Sequence, residues 1–117
     1  MKDYSKQNGK KFFTKGFKKQ CVNVISIEYI KSEESVSTIV LKNGRKIDQT
    51  KTIREFETEL SDFGFYRIRE NLIVNGRYIT EIDTKINKRI LKIGNFEFKI
   101  AKNRMKNFIN WINGIPN

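Results

Sequence analysis

FGFYRIRENLIVNGRYITEID, residues 63–83, is the stretch on which the fold turns. The run NLIV (71–74) leads into Asn75-Gly76, a dipeptide that spells a turn, and RYITEID supplies the strand after it. Upstream, Arg67 and Arg69 stand two residues apart and would share one face of an extended strand. Between them and the apolar run lies Arg69-Glu70-Asn71. Reading bases in a major groove takes side chains with paired donors or acceptors: Arg suits guanine, Asn suits adenine, and Glu accepts from cytosine N4. Here all three chemistries stand in a row. Lying along a groove, the triplet is a readout element. On a free strand alternate residues would face away, and Arg69 and Glu70 would merely pair with neighbours. Arg67 either holds a phosphate or buttresses the loop.

Working outward, β signals dominate. Val22 and Val24, then Ile25, Ile27 and Tyr29, alternate with polar residues, and the slip of phase at 24–25 predicts a bulge. SVSTIVL (35–41) ends at Lys42-Asn43-Gly44-Arg45, a tight hairpin spelling, with Arg45 to Gln49 as the returning strand. Leu91 and Ile93 lead into Gly94-Asn95, and Phe96, Phe98 and Ile100 alternate out of it as a further hairpin. Two helices interrupt the strands. Thr52-Ile53-Arg54-Glu55 spells a capping box, followed by Ile53, Phe56 and Leu60 at helical spacing. Its other face carries Arg54, Glu55, Glu57, Glu59 and Asp62, too acidic to lie against phosphate, so this helix is expected at the back. The second helix runs from about Asn103 to Trp111 with Met105, Phe108, Ile109 and Ile112 on one stripe, and Trp111 is expected as edge packing. Its first turn carries Lys102, Arg104 and Lys106, the wrong sign for the helix dipole, which a bound phosphate would explain.

The whole chain is 117 residues long, enough for one domain, and 38% hydrophobic with 14 aromatic residues, enough to bury a core. Its net charge of +11 makes a polyanionic partner the first expectation. The charge is uneven: residues 1–20 hold seven lysines against one aspartate, residues 21–64 are slightly acidic, and residues 65–117 hold eleven basic against four acidic side chains. With no histidine, Ser-His-Asp and Cys-His catalysis and His-ligated zinc are ruled out. No carboxylates are grouped for acid–base work, and seven scattered glycines make neither a P-loop nor a dinucleotide fingerprint. The expectation is therefore no enzyme, no cofactor, no metal and no small-molecule substrate. A single cysteine, Cys21, and the lack of a long apolar stretch fit a soluble, cytoplasmic domain. Residues 1–11 are expected as a flexible basic arm, 12–113 as the domain and 114–117 as a tail. KKFFTKGFKK (10–19) interleaves aromatics with lysines. It is read as a first strand with Phe12, Phe13 and Phe17 inward; the alternative is a site for single-stranded nucleic acid.

Residues 63–83 resemble the core motif of the LytTR family of bacterial DNA-binding domains, with Phe65, Arg67, Ile68, Ile73, Val74, Asn75 and Ile79 in step. SIEYIKSEESVSTIVLKNG (26–44), TKTIREFETEL (50–60) and FKIAKNRMKNF (98–108) are similar to further family segments in the same order. The resemblance covers roughly residues 12–112 and implies a mainly β fold: small stacked antiparallel sheets with a flanking α-helix and a short C-terminal helix. It implies DNA binding through loops that enter successive major grooves. Family members usually follow a receiver domain; none is found here, so control by a partner protein or by expression level is expected. There are departures. Arg69, Glu70, Asn71 and Leu72 stand where the family has His, Arg or Lys, Ser and an aromatic; Ala101, Lys102 and Asn103 replace Ser-Arg-Arg; Ser26 replaces Asp.

Residues and resemblance together lead to a sequence-specific regulator of transcription on double-stranded DNA, with two copies on repeated half-sites. The expected DNA-binding residues are Lys31 and Ser35 in the family's first contacting loop, Arg67, Arg69, Glu70 and Asn71 in the core motif, and Lys102, Asn103 and Arg104 in the closing basic segment. The alternatives are an RNA or single-strand binder, or a protein-interaction module that has lost DNA recognition.

Overall fold

The computed structural model describes the backbone of residues 10–15 and 18–114 and the side chains from Cys21 onward. Its strands are β1 (Lys10–Lys15), β2 (Lys18–Asn23), β3 (Ile27–Glu33), β4 (Val36–Leu41), β5 (Lys46–Gln49), β6 (Phe65–Arg69), β7 (Leu72–Asn75), β8 (Glu81–Asp83), β9 (Ile90–Ile93) and β10 (Phe96–Lys99). Helix α1 is Ile53–Leu60 and helix α2 is Met105–Asn113. All strand pairs are antiparallel. A central five-stranded sheet runs in the order β5-β4-β3-β7-β6, beside a three-stranded sheet β10-β9-β8 and the hairpin β1-β2. The fold is mainly β, as expected. Residues 1–9, the tail 115–117 and the packing of Phe12, Phe13 and Phe17 lie outside the described residues.

The central sheet is buried on both faces. One face carries Ile27, Ile30, Ile39, Leu41, Ile47, Phe65 and Ile73 against Ile53, Phe56 and Leu60 of α1 and Val22 and Val24. The other carries Tyr29, Val40, Ile68, Leu72 and Val74 against Leu91, Ile93, Ile100, Met105 and Phe108. This explains why Leu72-Ile73-Val74 is a continuous apolar run rather than an alternation: every residue of β7 is buried. Helix α1 starts where Thr52 Oγ1 accepts the Glu55 N–H at 3.1 Å, and it buries Ile53, Phe56 and Leu60 as its spacing predicts. Trp111 packs at an edge, its ring centre 4.9 Å from that of Tyr66.

Two expectations are corrected. The phase slip at 24–25 is not a bulge but a 3-10 turn, Val24–Ser26, that separates β2 from β3. The bulge lies one step later, between Ile27 and Tyr29, and it turns Ile27 and Ile30 to the α1 face while Tyr29 faces the other way. KKFFTKGFKK is not one strand: Lys15 pairs with Lys18, and the chain reverses into β2. The two Asn-Gly pairs also part company. Asn43-Gly44 closes the β4-β5 hairpin with Gly44 at φ +88°. Asn75-Gly76 joins strands of different sheets through a 3-10 turn.

Asn75 has a tertiary task instead. Fully buried, it donates from Nδ2 to the Ile27 carbonyl at 3.0 Å and accepts the Arg77 N–H on Oδ1 at 3.0 Å. It ties the end of β7 to the start of β3. Asn75→Ala leaves that carbonyl and that amide without partners, and should lower the unfolding free energy by about 1–3 kcal/mol in urea titrations. Burial also raises the phenol pKa of Tyr29, Tyr66 and Tyr78 above 10.0. The unfolded chain releases these protons first, so the stability they carry is complete below pH 10.0 and lost as pH rises through the folded values. Phenolate absorbance should show three of the four tyrosines ionising late and together with alkaline unfolding. Ordinary titration of all four would contradict this.

Candidate nucleic-acid interface

Antiparallel pairing gathers three distant segments at one end of the central sheet. Strand β3 ends at the tip of its hairpin with β4, where Glu33 pairs with Val36 across Glu34-Ser35 and Glu34 takes a positive φ of 55°. Strand β7 begins beside that tip, Leu72 pairing with Lys31. The turn Glu70-Asn71 between β6 and β7 therefore lies next to it, and the Ser32 N–H donates to the Asn71 carbonyl at 2.9 Å. The third segment, a 3-10 turn at Lys102–Arg104, lies along the outer edge of β6. There the Ala101 N–H donates to the Ile68 carbonyl at 2.9 Å, and Arg104 Nη1 donates to the Arg67 carbonyl at 3.4 Å. Eight of the nine expected residues fall on these segments or at their bases, with Arg67 behind them.

A bulge between Arg67 and Arg69 overturns the expectation that these two share a face. Arg67 pairs with Ile73, which faces α1, whereas Arg69 pairs with Leu72, which faces the other way. Ile68, the extra residue, is fully buried. Arg67 is turned toward α1, where Nη1 meets Glu57 Oε1 at 3.2 Å and Nε and Nη2 both donate to the Glu70 carbonyl. It buttresses the turn. Arg69 donates to Asn71 Oδ1 at 3.4 Å. Lys31 pairs with Glu33 at 3.0 Å, both well exposed, a contact worth little in solution. Ser35, Glu70, Lys102 and Asn103 are exposed, and Arg104 is half-buried.

Cations without a carboxylate partner among the described residues occur at this end of the sheet and also elsewhere, at Lys42, Lys46, Lys85, Lys88 and Arg89. Among the described residues no carboxylate lies within 4.0 Å of Arg69, Lys99, Lys102, Arg104 or Lys106, while Lys51 and Lys92 are held by glutamates. Glu81 and Glu97 flank Lys92 on the three-stranded sheet and raise its pKa, first through the hydrogen bond that Lys92 donates to Glu81. Helix α2 opens with no acidic residue and no side-chain cap. Its first turn and the turn before it thus hold cations beside the positive end of the helix dipole. Helix α1 covers one sheet face, but it is not remote from the interface, because Glu57 reaches Arg67. Glu57 is the residue the sequence does not single out; it stands among other acids on a polar helix face, and its partner is set by helix-on-strand packing.

Lys106 is exposed in that first turn. Lys106→Glu should raise stability by about 0.3–1 kcal/mol by answering the dipole and the neighbouring cations. The same change should weaken binding to any duplex. Loss of stability in chemical denaturation would show that the cation has a structural partner.

A family model for the LytTr DNA-binding domain matches residues 18–113. No curated protein matches the chain significantly. Among solved structures, the chain is similar to the LytTr DNA-binding domain of a protein described as a methyl-accepting/DNA response regulator from Bacillus cereus. The two share 15% identity over 91% of this chain and 97% of that one, with a TM-score of 0.73. At that identity the likeness speaks for the fold, and it agrees with the mainly β architecture described above. The family match spans most of the chain, and the chain belongs to the LytTR family of DNA-binding domains.

Proposed function

We propose that this protein is a transcription regulator that recognises a specific double-stranded DNA sequence, reading major grooves with loops rather than with a helix. One observation carries this reading. The hairpin tip at 33–36 adjoins the turn at 69–71, the run at 102–104 lies along the outer edge of β6 beside that turn, and the cations of the last two have no carboxylate partners among the described residues. Glu70, Asn71 and Arg69 carry the chemistry for base edges, and Lys102, Arg104 and Lys106 carry the charge for phosphates. Asn103, exposed between two cations, reaches for a base. Ser35 and Lys31 stand at the hairpin tip, where Glu33 and Glu34 limit the approach of phosphate. Most of the affinity is electrostatic and most of the preference lies in the turn. Two copies on repeated half-sites would multiply both.

Lys102→Ala or Lys106→Ala should weaken binding to every sequence and flatten its salt dependence, one phosphate contact reducing the slope by about 1. Asn71→Ala or Glu70→Ala should cost about 1–3 kcal/mol on the preferred duplex and relax preference at particular base pairs. Titration of each variant against preferred and scrambled duplexes separates the two classes. Equal losses on both duplexes for the turn variants would remove the turn from base readout.

A further inference from the structure

A groove of about 470 Å³ runs between the hairpin tip, the 69–71 turn and the start of α1, lined by Ser32, Glu34, Ile53, Arg67, Glu70 and Asn71. Arg67 forms its floor. Its side chain is only 12% exposed, and the Glu57 side chain beside it is 42% exposed. Nε and Nη2 converge on the Glu70 carbonyl, Nε at 2.9 Å, and Nη1 is anchored by Glu57 at 3.2 Å. From the other side the Asn71 carbonyl receives the Ser32 N–H at 2.9 Å. The backbone of the turn is thus clamped from two directions. The Glu70 side chain is exposed, with no ion pair among the described residues.

We infer that Glu57 and Arg67 are positioning residues for base recognition: α1 holds Arg67, Arg67 holds the Glu70 carbonyl, and the direction of Glu70 and Asn71 is thereby set. The inference rests on the function proposed above and adds a part of the molecule that touches no DNA. A base-reading side chain discriminates only if its backbone does not follow the wrong base into an alternative contact. Clamping the turn before binding removes the cost of ordering it at the moment of contact. A guanidinium suits the task because its planar fork delivers two N–H groups to one carbonyl and a third to a carboxylate; an ammonium does not hold that geometry.

The sign of the Glu57 effect separates this inference from plain electrostatics. Removing a carboxylate near a DNA-binding surface should strengthen binding to every duplex. A clamp predicts lost discrimination instead. The experiment measures binding of wild type, Glu57→Gln and Arg67→Lys to preferred and scrambled duplexes, and amide hydrogen exchange of the free proteins. The preference ratio should fall about tenfold in Arg67→Lys and by less in Glu57→Gln, a loss on the scale of one bidentate base contact. Exchange should quicken at residues 70–72 while β3 and β9 stay protected, which distinguishes a loosened turn from a weaker fold. Unchanged ratios, or exchange in the turn at the wild-type rate, would overturn the inference. If Arg67→Lys fails to fold, Glu57→Gln carries both arms. Should wild type itself prefer no duplex, the proposed function fails, and the exchange arm still decides whether the clamp exists.

Discussion

One extra residue in β6 organises the molecule. Because Ile68 is bulged against β7, Arg67 and Arg69 fall on opposite faces of a sheet that is buried on both. Without the bulge, period two would turn both arginines the same way. With it, Ile68 fills the core beneath α2, Arg67 reaches back to α1, and Arg69 reaches forward to Asn71. Core packing and presentation of the turn are consequences of one local backbone choice. The Ile68 carbonyl also receives the Ala101 N–H, so the same residue moors the closing basic segment.

The distribution of charge is a second constraint, and it opposes stability. Cations sit at the start of α2, where the helix dipole disfavours them, and along an edge where no described carboxylate answers them. A domain selected only for folding would place acids there. Cations that the fold does not use are available to a polyanion, and DNA binding is the property of the family to which the chain belongs. Of the acidic residues of α1, Glu57 pairs with Arg67 and Glu59 with Lys51.

Much of the fold is legible in the sequence because alternation, capping and turn spelling are local. Thr52 caps α1, Phe56 and Leu60 bury as spaced, and Asn43-Gly44 turns. What fails to read locally is decided by partners far along the chain. Asn75-Gly76 has the same spelling as Asn43-Gly44, but Asn75 is claimed by the Ile27 carbonyl, 48 residues away, and no hairpin forms. The two bulges are visible only once β3 and β6 have neighbours against which to count. The interface divides the same way. Arg69, Glu70, Asn71, Lys102 and Asn103 announce themselves by residue type and family register, whereas the tie between Glu57 and Arg67 exists only because α1 packs across β6.

The central claim is that the loops at this end of the sheet read sequence and do not merely attract phosphate. Selection from a random duplex library at about 150 mM salt, followed by titration of the enriched duplex against a scrambled one, tests it most directly. The account predicts a repeated motif bound at least about a thousandfold more tightly than scrambled DNA. Salt-sensitive binding with no enriched motif would contradict it and leave only a basic surface.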